Sequence, residues 1–334
     1  MKLIYAIVFL VFFSCQKKND INRIDVFSIS EEKITSIQEI KLDSIIFPTE
    51  IHSFGQWIVG INLPNYSKNV FDFINKTTLQ KDFSCMKFGN GVNEFQECNP
   101  YFFKCKDNLI QVNANVFDIK TLRLKNGDLS VLSSKSLSVA PNKIIEIDTE
   151  KIAFKPSFEK PNYAIYNIGK QEFVSNFGNF PNVELSEAGE DIDYANFFQE
   201  TTVFDSEKDQ FFSFYSNIPL IRIYKSFKLI KEIWTTDDFN TNITDFYDEK
   251  TKIFYGKPLI CQGKIYVTYL NKNPEEFSKN SNVNLLIWDM EGELLKRYVI
   301  RNPFQTYTIS EDGTEFYAID NSNTDYSTVF KFKL

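Results

Sequence analysis

The sequence predicts an all-β chain closed into a six-bladed β-propeller, with an amino-terminal strand completing the last blade. Three observations lead there. Aromatic and β-branched runs separated by turn residues fill the chain, which holds 34 Phe and 16 Tyr against 12 Gly. A unit built from such runs recurs six times. The last unit stops one strand short, while a spare strand stands near the amino terminus.

Each unit opens on a polar residue followed by a β-rich run. The six openings are Gln56–Val59, Asn108–Val112, Lys143–Ile147, Gln210–Phe214, Lys264–Val267 and Glu315–Ile319. Their spacing averages about 52 residues and ranges from 35 to 67, a period typical of repeat architectures. A second run follows, often alternating with period two, as in Val70–Phe73, Tyr163–Tyr166, Leu220–Tyr224 and Leu285–Asp289. Tight turns such as Asn126-Gly127, Gly169-Lys170 and Glu291-Gly292 then lead to a third run. Alternating runs joined by such turns read as antiparallel hairpins. Helical spacing is almost absent.

The ends select the architecture. The sixth unit ends at Val329–Leu334 without an outer strand, and Ile34–Leu42 is a strand without a unit. Pairing the two closes a ring and removes an exposed sheet edge, the recurring hazard of β proteins. Two stacked β-sandwiches, the competing arrangement, leave both ends unmatched. Residues 33–334 are therefore expected to form one domain, although 334 residues would suit about two domains of ordinary size.

Residues 1–32 carry an address. Met1-Lys2 precedes eleven apolar residues, Leu3–Phe13. That run is too short for a bilayer, which needs about 20 residues, and suits a secretory signal. It ends in Ser14-Cys15, followed by the polar Gln16–Asp20. A small residue then cysteine after an apolar run resembles the lipobox of bacterial lipoproteins, although Phe12 stands where Leu is more usual. The resemblance implies cleavage after residue 14 and acylation of Cys15, with several acyl chains giving a stable membrane anchor. Residues 15–32 then read as the lipidated cysteine and a polar linker.

Between the first two units lies Lys87–Phe95, with Gly89, Gly91, Glu94 and Phe95 matching a Gly-x-Gly-Pro-x-Glu-Phe loop; Val92 replaces the proline. With the lipobox and the blade pattern, this resembles the TolB-like six-bladed propeller lipoproteins of Gram-negative bacteria. The resemblance implies a cell-envelope location, expected at the outer membrane, and supplies no settled activity. Physically, the glycines let the loop turn sharply, Glu94 can accept hydrogen bonds from its amides, and Phe95 can anchor it in the core. A phosphate cradle would need a following helix or lysine that is not there.

Charge and residue counts exclude several functions. Lys+Arg 37 against Asp+Glu 44 gives −7, and no basic cluster marks a nucleic-acid surface. The single histidine, His52, excludes His-rich metal cages and HExxH enzymes. His52 falls on an innermost strand near Glu50, where a polar side chain can face the channel. The other innermost runs are Tyr101–Lys104, Thr201–Phe204, Tyr255–Leu259 and Gln305–Ile309. Glu50, His52, Tyr101, Lys104, Tyr255 and Lys257 are thus the candidate ligand-binding residues. They bring aromatics and lysines rather than a cluster of carboxylates, so no catalytic residue is assigned. No cofactor is implied; Glu187–Asp193, an acidic run, is the one segment with the chemistry to hold Ca²⁺, though without the spacing of a calcium loop. Cys85 and Cys98 flank the glycine loop and can clasp it as a disulfide, or remain buried thiols. The expectation is a monomeric envelope binding module for a protein, peptide or glycan. The alternative is a channel-sited hydrolase or lyase, metal-dependent in some six-bladed folds.

Overall fold

The computed structural model describes residues 22–334 apart from 44, 92, 97, 107, 116, 157–162, 184–196, 237–251, 277–281 and 324, with main chain alone for 99–106 and 142. Six separate antiparallel sheets, each built around four strands, form six blades. Their innermost strands are Pro48–Phe54, Asn99–Lys106, Asn142–Glu146, Glu200–Asp205, Ile253–Cys261 and Thr306–Ile309. Each touches the next, and the sixth touches the first, so they close a ring around a central channel. The core lies between blades. Phe71, Phe73, Ile110 and Val112 interlock blades 1 and 2, and Phe212, Ile223, Val267 and Trp288 interlock blades 4 and 5.

The closure expected from the chain ends is present. Gln38–Lys41 is the outermost strand of blade 6 and pairs antiparallel with Thr328–Lys331, setting Ile40 opposite Val329. Ile40 and Val329 pack into a cluster with Ile51, Ile58 and Ile319, which joins the last blade to the first. A polar tie reinforces the seam: Glu311 of blade 6 accepts hydrogen bonds from Ser53 Oγ (2.7 Å), Gly55 N (2.8 Å) and Lys76 Nζ (2.6 Å), all in blade 1.

Two expectations need correction. The polar segment assigned as linker up to residue 32 belongs to the body from Asn22 onward. Asn22–Arg23 adds a fifth, parallel strand to the edge of blade 4, and Glu31–Glu32 does the same on blade 5. Val26 between them is fully buried. Its polar composition hides this because an edge strand bonds through its main chain, with Val26 and the half-buried Ile24 as its anchors in the core between blades 4 and 5. The second correction concerns phase. Five of the six repeat openings fall on second strands, but Lys143–Ile147 overlaps the innermost strand of blade 3; the corresponding second strand is Lys151–Lys155. Both runs are short and apolar, so periodicity alone does not separate them.

The two ends of the ring differ. On one, the connections between first and second strands and between third and fourth strands span two to five residues. From the other, each outermost strand of blades 1 to 5 leads on to the next blade. Asn22 and Arg23 lie beside Ile233 and Trp234, the last residues of an outermost strand, so the amino-terminal segment joins the body at the rim of this second face.

Candidate functional site

A cavity of about 230 Å³ is lined by residues from blades 1, 3, 4 and 5, most of them on innermost strands. Its charged and titratable lining comprises Glu50, His52, Lys143, Lys155, Glu200 and Lys257, together with Tyr163. Four of these stand at or next to the end of a strand. Glu200 opens one innermost strand and Lys143 is the second residue of another, Lys155 closes a second strand, and Tyr163 starts a third.

Two buried pairs organise the site. Glu200, whose side chain is wholly shielded from solvent, receives Lys155 Nζ at 2.6 Å and the Tyr163 hydroxyl at 2.9 Å. Tyr163 also lies against Thr202 Oγ1 and Ser213 Oγ, at 2.5 and 2.9 Å. Burial and the Glu200 carboxylate hold its hydroxyl protonated, well above the usual tyrosine range. Glu50 receives Lys257 Nζ at 2.5 Å and lies 3.2 Å from His52 Nε2. Burial raises the Glu50 pKa, but the Lys257 ammonium and His52 together outweigh it and leave the group more acidic than usual. Burial, and then Lys257, push His52 down to about 4, so the imidazole is uncharged at neutral pH. Lys143 Nζ donates to the Glu200 carbonyl at 2.8 Å, and burial lowers its pKa below that of an ordinary lysine.

Main-chain irregularity aims these groups. The pairing of first with second strands breaks between Pro48 and Glu50, between Asn142 and Ile145, and between Tyr255 and Pro258. Bulges of this kind re-aim side chains, and Glu50, Lys143 and Lys257 all sit at such breaks. Lys143 has φ +51°, an unfavourable left-handed conformation for a lysine.

The candidates from sequence divide accordingly. Glu50, His52 and Lys257 meet in the cavity. Tyr255 does not: it is buried between blades 4 and 5, its ring packed on Phe214 and Tyr269 and its hydroxyl 2.6 Å from Thr235 Oγ1. Strict alternation would put Tyr255 on the same face as Lys257, and the bulge between them breaks it. Tyr101 and Lys104 lie on the innermost strand of blade 2, and their side chains are outside the described residues. Cys15 and the Glu187–Asp193 run are outside them too. Among the described residues no group of three His, Cys, Asp or Glu stands close enough to hold a metal. Lys143, Lys155, Glu200 and Tyr163 escaped the sequence reading because blade 3 was out of phase and Glu200 stands one residue ahead of the run Thr201–Phe204. The signal that could have found Glu200 was its place at the strand start, matching Lys143 in the preceding blade.

At the glycine loop, Gly91 N donates to Glu94 Oε2 at 2.8 Å, and Phe95 is buried edge-on against Phe71. A side chain at Gly89 would collide with Glu94, its Cβ falling 2.1 Å from Oε2. The proposed Cys85–Cys98 clasp is not formed, since Cys85 carries a free thiol. Main chain closes the loop instead, with Gly89 N donating to Phe95 O and Phe95 N to Lys87 O, both at 2.9 Å.

No known family profile and no curated protein sequence matches the chain. Solved structures do match in fold. A DUF4221-family member from Bacteroides vulgatus superposes with a TM-score of 0.65 at 10% identity, over 90% of this chain and 97% of its own. A candidate exported protein from Bacteroides fragilis superposes with a TM-score of 0.56 at 10% identity, over 94% of this chain and 98% of its own. At such identity the likeness shows the six-bladed propeller alone.

Proposed function

We propose that the protein is an envelope lipoprotein of the TolB-like kind, anchored by acyl chains on Cys15, that binds a ligand at the mouth of its central channel without turning it over. The observation that carries this reading is the convergence of six charged or titratable side chains from four blades on one cavity. Acid–base catalysis works best with groups that titrate near the working pH. Here His52 and Glu50 are both driven down, away from neutrality. The carboxylates are also already engaged by lysines. That arrangement suits a fixed recognition surface better than a proton shuttle. The candidate exported protein among the structural neighbours agrees with an address outside the cytoplasm.

The test uses the mature protein in detergent and the small-molecule fraction of an envelope extract. The wild type should gain thermal stability in that fraction, and Thr201→Trp, which fills the cavity, should not. Equal gains in both would place binding elsewhere, and steady release of a product would replace binding with catalysis. Mass spectrometry of the amino terminus should find an acylated Cys15; an unmodified terminus would remove the anchor.

A further inference from the structure

Two ion pairs stand in the cavity, and they differ in what they leave open. Glu200 is engaged on both oxygens, Oε2 by Lys155 Nζ and Oε1 by the Tyr163 hydroxyl. Glu50 is engaged on one. Lys257 Nζ at 2.5 Å and His52 Nε2 at 3.2 Å both meet Oε2, and among the described residues Oε1 has no partner. Lys257 in turn places one N–H on this carboxylate, and an ammonium has three to give. Neither group is sealed off: 17% of the Glu50 side chain and 24% of the Lys257 side chain are exposed, and both residues line the cavity. A carboxylate and an ammonium therefore stand side by side, each with capacity left for a ligand. They come from blades 1 and 5, and each sits at a break in strand pairing, the kind of irregularity that re-aims side chains.

Much of the remaining lining is aliphatic. Leu259 and Ile260 follow Lys257 on its strand, and Ile145 and Val203 join them from blades 3 and 4. Size limits the occupant. A cavity of about 150 Å³ accepts benzene, so 230 Å³ suits about nine non-hydrogen atoms.

Resting on the channel reading above, we propose that the ligand is a free α-amino acid with an aliphatic side chain. Its ammonium meets Glu50 Oε1, its carboxylate meets Lys257 Nζ, and its side chain lies against Ile145, Val203, Leu259 and Ile260. One carbon carries both charged groups, as the contact between Glu50 and Lys257 requires, and leucine has about the size the cavity admits. Charge-assisted hydrogen bonds of this kind are the strong ones. A monocarboxylate or an amine would answer half of the pair. A sugar can reach both atoms with neighbouring hydroxyls, but its other hydroxyls would face aliphatic carbon without partners, which is costly.

Calorimetric titration of the mature protein with L-leucine, with isocaproate, which lacks the ammonium, and with isoamylamine, which lacks the carboxylate, tests this directly. L-Leucine should saturate one site, with each analogue at least about tenfold weaker. Glu50→Gln should weaken L-leucine by about ten- to a hundredfold, the loss of one charged hydrogen bond, and should not weaken isocaproate. If Glu50→Gln does not fold, the three titrations of the wild type decide. Equal affinity for L-leucine and isocaproate, both abolished by Thr201→Trp, would overturn the amino acid and leave the channel reading standing. Tighter binding of D-xylose than of L-leucine would overturn it in favour of a sugar. Absence of saturable L-leucine binding would reject the proposal, with the channel itself then judged by the extract experiment.

Discussion

His52 offers a clean measurement of the channel interior, because it is the only histidine in the chain. Its pKa falls from 6.5 to about 4 on folding, with burial as the main cause and Lys257 as the second. Only 15% of its side-chain surface meets solvent, so water screens little of this effect. A tenfold change in proton affinity is worth about 1.4 kcal/mol. The sign follows from proton counts. Between pH 6.5 and 4 the unfolded chain holds a proton on His52 that the folded chain does not, so stability falls as pH falls. The full loss is about 3 kcal/mol, of which about 2 kcal/mol is already present at pH 5. Glu50 faces His52 and also has a lowered pKa, but its contribution is lost only below its unfolded value of about 4.5. The window from 6.5 to 5 therefore belongs to His52. Urea unfolding of the wild type at pH 7.5 and 5.0 should show the loss, and His52→Gln should abolish most of it. The Cε1 proton of the single imidazole should titrate near 4. A midpoint near 6.5, or an unchanged slope in the variant, would refute the reasoning.

Two further outcomes follow from the same structure. Deleting residues 33–42 strips blade 6 of its outermost strand and exposes the Val329 edge; with total stability typically about 5–15 kcal/mol, the chain should lose cooperative melting or aggregate on size exclusion, and a monomer with unchanged melting temperature would show that this strand closes nothing. Lys155→Met leaves the wholly buried Glu200 carboxylate without its ammonium and should cost about 3–5 kcal/mol in urea, most of it recovered in Lys155→Met/Glu200→Gln; additive losses in the double variant would mean the two groups are not coupled.

The architecture was legible where it rests on burial and on chain ends. Runs such as Leu220–Tyr224 and Leu285–Asp289 are third strands as their alternation indicates, and the unmatched Ile34–Leu42 supplied the closing strand. Blade 3 was misphased because Asn142–Glu146 and Lys151–Lys155 are joined by a short polar turn, in which Asp148 Oδ1 accepts from the amides of Glu150 and Lys151. That turn looks like any other in the chain, and nothing local says which flanking run lies inside. The amino-terminal strap was hidden for a different reason. Its pairing is with main chain, and Val26 is its single fully buried side chain.

The site was the least legible part, and the cause is specific. Reading a strand by alternation assumes unbroken pairing, so that residues two apart share a face. Three innermost strands violate that assumption at the positions that build the cavity, beside Glu50, around Lys143 and ahead of Lys257. A regular strand of blade 5 would carry Tyr255 and Lys257 together. The bulge instead sends Tyr255 into the core against Phe214 and leaves Lys257 on Glu50, 207 residues away in sequence. Glu200 shows the converse. Its strand pairs without a break from Glu200 to Asp205, and it reaches the cavity from the strand's first position, where Lys155 and Tyr163 of the preceding blade meet it. Register shifts also occur on the innermost strand of blade 2 and between the third and fourth strands of blades 1 to 5, so irregular pairing belongs to the whole propeller, and what sets these three apart is that their bulges fall on the residues lining the cavity.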